Sequence, residues 1–353
     1  MSPAPSARLT RFLDADARRP AWVPLLGGFL GRFGAPYQAI SADRTALGNA
    51  LRDAARLLGS DIHVVLPDPT LLADALGAHV DWTSHDLVPI VADAPWSAQI
   101  PSAPPAAIAS SGRLGAALGA YRDLRAMDPH IGLAIALTGP GLLAFQLRGE
   151  AFAAELGAQT PVAQDLLDLA GQAALQVVRA AGEVGTDLVV VLEAPSLVAR
   201  APDVVADAWQ PIANLAAFYG APVLAVPTSA HGDVGAAGGT VDRGAPAGDL
   251  ADGALADLPT RWVLRRVGDP PTVAAAQSPG GSAAGPAAIG IAVPLLGTDD
   301  LADILTQTAL AADLLSTTTP LAVDAPAAGL LAVKTWIESL GSMRLPRMAG
   351  RLR

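Results

Sequence analysis

The sequence predicts an α/β fold, a single (β/α)8 TIM barrel spanning residues 1–353. Three observations predict it. Short apolar runs recur along the chain without polar alternation, as strands buried on both faces do. Amphipathic stretches with helical spacing separate them. The runs number eight, which is the count that closes such a barrel.

In order, the runs are Trp22–Leu26, Ile62–Leu66, Ile131–Leu137, Leu188–Leu192, Val223–Val226, Trp262–Leu264, Ile289–Val293 and Leu321–Val323. The sixth is the least regular, because Arg265 and Arg266 follow it at once. Between runs, Thr160–Ala181 and Asp299–Leu315 carry helical spacing. Ile131–Leu147 is uncharged, but it is shorter than the ~20 residues of a membrane helix. Thr138-Gly139-Pro140-Gly141 breaks it in the middle, so it reads as strand, turn and helix. A doubly wound sheet is the competing arrangement, yet no G-x-G-x-x-G follows the first run. Two stretches poor in apolar pattern, about 229–259 and 277–286, read as flexible loops, either lids over the barrel mouth or solvated insertions. The proline- and aromatic-rich segment Asp81–Pro105 is expected to cover one barrel end.

Composition narrows the function. Hydrophobic residues make up 51% and charged residues 16%, enough to bury a large core. The formal net charge is -10 with no basic cluster, which argues against nucleic acid as a partner. The chain has no cysteine, which removes disulfides, thiolate zinc sites, iron–sulfur clusters and cysteine nucleophiles together. The first residues, MSPAPSARLTRFLDADARRP, are polar and charged, so a cytoplasmic protein without membrane attachment is expected.

Candidate site residues stand at the ends of the runs, where barrel enzymes place their chemistry. Asp68 follows the second run in Leu66-Pro67-Asp68-Pro69-Thr70, nine residues before Gly77. A carboxylate at the end of a buried strand needs a partner or a task. It is read either as a catalytic group or as the cap of a helix beginning near Leu71. Glu193 ends the fourth run and is either a general acid or base, a metal ligand, or a rim carboxylate in an ion pair. His231 follows the fifth run and is either a proton carrier or an exposed loop histidine. Arg32 follows the first run, with a fork suited to a carboxylate or a surface aspartate. Asp324 follows the eighth run. His63 lies within the second run and reads as a barrel-wall or core histidine. His79, Asp81 and His85 form a weak local metal pattern. Lys334, the only lysine, lies on a terminal amphipathic helix and reads as solvated. Gly27-Gly28 and Gly139-x-Gly141 are either phosphate cradles or tight turns.

Four blocks resemble the uroporphyrinogen decarboxylase superfamily, single-domain (β/α)8 barrels that include tetrapyrrole decarboxylases and cobamide-dependent methyltransferases. They are Arg19–Pro24 with Gly31-Arg32, Asp61–Val80, Leu137–Pro140 with Leu147-Arg148-Gly149, and Gly185-Thr186-Asp187 leading to Glu193. Order and spacing agree over roughly residues 6–227 and fade beyond. Within the resemblance, Asp68 matches the essential aspartate of the decarboxylases, and Arg32 matches the second arginine of an Arg-x-x-x-Arg pair whose first member falls on Gly28. The family tyrosine after the Gly-x-Pro turn is missing, since Phe145 and Gln146 stand there. Ala194 replaces a serine after Glu193, and the C-terminal histidine has no counterpart. The thiol-activating His-x-Cys and distant Cys of the methyltransferase branch are absent.

The resemblance implies a lyase acting without a cofactor on a carboxylated substrate, a small acid or a modified tetrapyrrole of porphyrin metabolism. Asp68, Glu193 and His231 would be catalytic, and Arg32, Thr138 and Asp324 would bind substrate. The alternative is a corrinoid-linked methyltransferase with a corrinoid protein as partner, cobalamin as cofactor and a zinc site built without cysteine from Glu193, His231 and Asp324. A third reading is a non-catalytic barrel subunit. A homodimer is expected from the family and from the frequency of twofold oligomers.

Overall fold

A computed structural model describes residues 21–22, 30–58, 60, 62–65, 68–82, 89–96, 100–228, 262–266, 288–293 and 312–317. Among the described residues, eight strands form one sheet: β1 (Ala21–Trp22), β2 (Ile62–Val65), β5 (Gly132–Thr138), β6 (Leu188–Glu193), β7 (Val223–Pro227), β8 (Trp262–Arg266), β9 (Ala288–Val293) and β10 (Ala312–Thr317). Two short strands, β3 (Val80–Asp81) and β4 (Ile90–Val91), pair antiparallel outside it. The sheet order is β1-β10-β9-β8-β7-β6-β5-β2, and every pairing is parallel. Its two end strands, β1 and β2, also lie in contact with each other.

The helices of the described residues are α1 (Tyr37–Ala42), α2 (Arg44–Leu58), α3 (Leu71–Ala75), α4 (Gly112–Met127), α5 (Pro140–Arg148), α6 (Glu150–Gly157), α7 (Pro161–Val184), α8 (Pro195–Val198) and α9 (Pro202–Phe218). α7 shows why the sequence folds this way locally. Thr160 caps it by accepting from Ala163 N, Pro161 starts it, and Gly185 ends it at φ 93°. Ile131–Leu147 resolves as expected into β5, a glycine turn and α5. No helix among the described residues is long and apolar enough to cross a membrane.

Alternation along the strands separates two apolar rows. Val65, Leu133, Ile135, Leu137, Val189, Val191, Val223 and Ala225 join the core that the helices cover. Val64, Ala134, Ala136, Val190, Leu192, Leu224 and Val226 are buried on the opposite, inner row. Both faces of the sheet are therefore covered, which is why the runs lack polar alternation. At the N-terminal end of the strands, Arg125 of α4 donates to Asp187 Oδ2 at 2.5 Å and to the carbonyls of Ile131 and Gly185. Leu133 N donates to the same Asp187 oxygen, so the Gly-Thr-Asp block ties β6 to β5 and α4.

One sequence expectation needs correction. The spacing reads Asp299–Leu315 as helical, whereas Ala312–Thr317 is, among the described residues, the eighth strand of the sheet; the expected strand Leu321–Val323 lies outside the described residues. Leu310 and Leu314 satisfy a helical template, but pairing of Leu314–Thr317 with Gly290–Val293 decides the outcome. Asp324 thus does not directly follow that strand and lies outside the described residues. So do the stretches 229–259 and 277–286, Gly27-Gly28, His85, His231 and Lys334. The described part of Asp81–Pro105 is held against α5: Trp96 N donates to Leu147 O at 2.9 Å and Arg148 donates to Trp96 O.

His63 lies on β2 in register with Leu133, hence on the helix-facing row. Burial lowers its pKa from 6.5 to about 4, with Asp128 opposing. The unfolded chain binds the proton first as pH falls, so the native state loses stability from pH 6.5 toward about 4. By pH 5 the loss from this group is about 2 kcal/mol. Urea unfolding of wild type and His63→Leu at pH 7 and pH 5 should show this part of the slope vanish in the variant.

Candidate functional site

The C-terminal ends of β2, β5, β6 and β7 carry the site candidates that the structure describes. Asp68, just beyond β2, is buried. Its Oδ1 accepts from Thr70 N at 2.9 Å and from the Thr70 hydroxyl at 2.7 Å. Its Oδ2 accepts from the Tyr37 hydroxyl and from Arg113, each at 2.8 Å. Two donors on each oxygen fill the four acceptor positions of a carboxylate. The two bonds from Thr70 form the local turn that starts α3, and those from Tyr37 and Arg113 join Asp68 to α1 and α4.

Arg113 sits in the first turn of α4, where the helix dipole disfavours a cation. It compensates by spreading over three acceptors: Asp68, Asp74 Oδ2 at 2.8 Å and Thr70 Oγ1 at 2.9 Å. Its guanidinium carbon lies 4.8 Å from the centre of the Trp82 ring. Burial alone would lower its pKa, but Asp68, Tyr37 and Asp74 outweigh it and the pKa is raised. Burial and the Asp68 charge push the Tyr37 phenol well above its ordinary value, so it stays a donor.

Glu193 ends β6 on the helix-facing row and is fully buried. Oε1 accepts from Leu142 N at 2.7 Å and Ala194 N at 3.0 Å. Oε2 accepts from Gly141 N and Trp209 Nε1, each at 3.0 Å. Burial raises its pKa, and the four N–H bonds pull it back. The Gly139-x-Gly141 turn therefore does bind an anion at a helix start, and that anion is the chain's own carboxylate. The glycines make room for it. A Cβ on Gly139 would stand 2.9 Å from Glu193 Cδ, and one on Gly141 3.1 Å from Oε1. Gly139→Ala should thus cost about 1–3 kcal/mol through overpacking against a carboxylate that cannot move aside. Gly157→Ala, where a Cβ meets nothing within 4 Å, is the control and should not destabilise in the same thermal melt.

Thr138 closes β5 on the inner row, and its hydroxyl donates to Pro69 O at 2.7 Å. That bond brings the ends of β5 and β2 together, so Thr138 and Asp68 belong to one corner of the strand ends. Glu193 belongs to the next strand but faces away, toward α5 and α9. Thr228 follows β7 and extends its ladder, with Thr228 N donating to Glu193 O at 2.9 Å. It is buried, and among the described residues its hydroxyl has no hydrogen-bond partner. Arg32 lies in a 3-10 turn, Gly31–Phe33, but its side chain is outside the described residues. Among the described residues no group of three or more His, Cys, Asp or Glu could hold a metal ion.

Sequence reasoning finds Asp68, Glu193 and Thr138 but misses Tyr37, Thr70, Trp82, Arg113, Trp209 and Thr228. One usable signal is Arg113 itself, a cation two residues after Ser111 at a helix start, which calls for a carboxylate partner.

Comparison with known proteins supports the fold. A solved methyltransferase from Methanosarcina mazei superposes on the chain with a TM-score of 0.71, covering 95% of this chain and 98% of that one at 16% identity. At that identity the likeness is one of fold. No family model matches the sequence, and no curated protein matches it.

Proposed function

We propose that the chain is a methyltransferase, built on a closed (β/α)8 barrel and working with a corrinoid-carrying partner protein. The observation that carries this reading is the end-to-end structural likeness to a methyltransferase. Closure of the barrel is supported by the contact between β1 and β2 at the two ends of an eight-strand order. The lyase expectation takes no support from the comparison. It also needs free polar groups at the strand ends, whereas Asp68 and Arg113 are already bound to each other.

A corrinoid would supply an electrophilic methyl group. On this chain, Asp68 with Arg113 and Glu193 with the start of α5 set the geometry of the strand ends rather than touch the reacting atoms. Thr138 presents its remaining lone pairs on the inner row. Glu193 does not fit as a zinc ligand, since N–H donors occupy both oxygens.

The test is titration of the purified protein with methylcobalamin, followed by its visible spectrum. Saturable binding supports the reading. Indifference to methylcobalamin, together with release of carbon dioxide from a carboxylic acid, would replace it with the lyase. A second reading, a non-catalytic binding barrel, is favoured by the ion pair of Asp68 with Arg113 and by the four N–H donors that occupy Glu193. It would stand if neither chemistry is found.

A further inference from the structure

The chain has no cysteine, so all of its sulfur lies in four methionines, Met1, Met127, Met343 and Met348. Their thioethers are what a peroxide meets first in such a chain. Met127 is the one methionine among the described residues. It ends α4 and is 51% exposed. α4 carries Arg113 in its first turn and runs for 16 residues, so Met127 stands roughly 20 Å from the strand-end corner.

The sulfur is marked out by the group bonded to it. Arg52, on the adjoining α2, donates from Nη1 to Met127 Sδ at 3.6 Å. Its Nη2 donates to Asn49 Oδ1 at 3.0 Å, and its Nε lies 3.7 Å from Asp53 Oδ1. That Nε is buried and, among the described residues, has no hydrogen-bond partner. The guanidinium is therefore short of good acceptors, and on Met127 it uses a weak one, since thioether sulfur accepts poorly. An oxygen carried by that sulfur is a strong acceptor beside a cationic donor. The same pair of helices already uses such a bond elsewhere: Arg44 of α2 donates from Nε to Asp123 Oδ2 of α4 at 2.7 Å.

We propose that Met127 is a modification site, oxidised by a peroxide to methionine sulfoxide, and that Arg52 Nη1 then holds the sulfoxide oxygen and tightens α2 on α4. A lone pair of Sδ attacks one oxygen of hydrogen peroxide, and the O–O bond breaks as the S–O bond forms. The proton on the transferred oxygen passes to the departing hydroxide, which leaves as water. Sulfur gives up two electrons and the peroxide takes them. In a core, the new polar group disrupts packing. At Met127 it stands half in water and next to a guanidinium, so the fold accommodates it. The inference goes beyond methyl transfer and does not depend on it.

The probe is hydrogen peroxide, applied to the full chain with N-acetylmethionine in the same solution as a reference. Trypsin cuts after Arg125 and Arg148, and the peptide 126–148 holds Met127 as its only methionine. Mass spectrometry should find one added oxygen on this peptide in the folded protein, on the time scale of the reference. A methionine sulfoxide reductase with a thiol should remove it. The change in melting temperature on oxidation, less the change in Met127→Leu, isolates Met127 from the other methionines. That difference should be about +1 to +3 °C, and zero or negative when both are measured in an Arg52→Gln background. Met127→Gln, which carries an amide oxygen at similar reach, should melt above Met127→Leu without peroxide. A peptide 126–148 that takes up oxygen only after unfolding in urea would overturn the site. A difference of zero or below in wild type, or an equal one with and without Arg52, would overturn the role given to Arg52.

Discussion

Glu193→Ala should be the most destabilising single substitution at the strand ends, costing about 3–5 kcal/mol against a total of about 5–15 for a domain of this kind. The reason is what it leaves behind. Gly141 N, Leu142 N, Ala194 N and Trp209 Nε1 all donate to the Glu193 carboxylate, and its loss strands four donors in a region without solvent. An unsatisfied buried donor is worse than a hydrogen bond that never existed. Glu193→Gln keeps the shape but turns an NH2 group toward N–H donors, so it should fall between wild type and alanine. Urea unfolding read by circular dichroism measures both. A loss below about 1 kcal/mol for the alanine variant would mean that the carboxylate is not what holds α5 to β6.

Arg113→Met should cost about 3–5 kcal/mol, because it leaves the Asp68 charge buried without its cation. Asp68 would retain the Tyr37 hydroxyl and the two bonds from Thr70, and Asp74 is partly exposed, so the penalty concentrates on Asp68. Asp68→Asn removes that charge. The double variant Asp68→Asn/Arg113→Met should therefore lose less than the two single losses added together, by about 1–3 kcal/mol of coupling. Strict additivity would show that the pair contributes nothing as a pair. The cycle also bears on function. A residue with four donors on its oxygens is a poor acid, base or metal ligand, and its substitution should act first on stability.

The fold was legible where burial on both faces writes itself as apolar runs. Seven of the eight predicted runs overlap strands of the sheet, from Trp22 through Ile289–Val293. The eighth, Leu321–Val323, lies outside the described residues, and the strand Ala312–Thr317 was not legible because it satisfies a helical spacing and its pairing with β9 makes it a strand. The site was legible in part. Strand-end position draws attention to Asp68, Thr138 and Glu193, but it does not say which side of the sheet a side chain faces. Glu193 is one residue beyond Leu192, and that single step moves it from the inner row to the helix layer. Its partners come from β6 itself, the start of α5 and the middle of α9, a meeting that no local spacing announces. Tyr37 and Arg113 reach Asp68 across 31 and 45 residues. Thr228 carries no motif at all.

The measurement that most directly tests the methyltransferase account is turnover with methylcobalamin labelled with carbon-13 on the methyl group, followed by NMR across a panel of thiol, amine and hydroxyl acceptors. The account predicts that the labelled methyl signal leaves the corrinoid and reappears on one of the acceptors, faster than in a sample without protein. A rate equal to the protein-free control, both with methylcobalamin free and with it bound to a corrinoid protein, would contradict it.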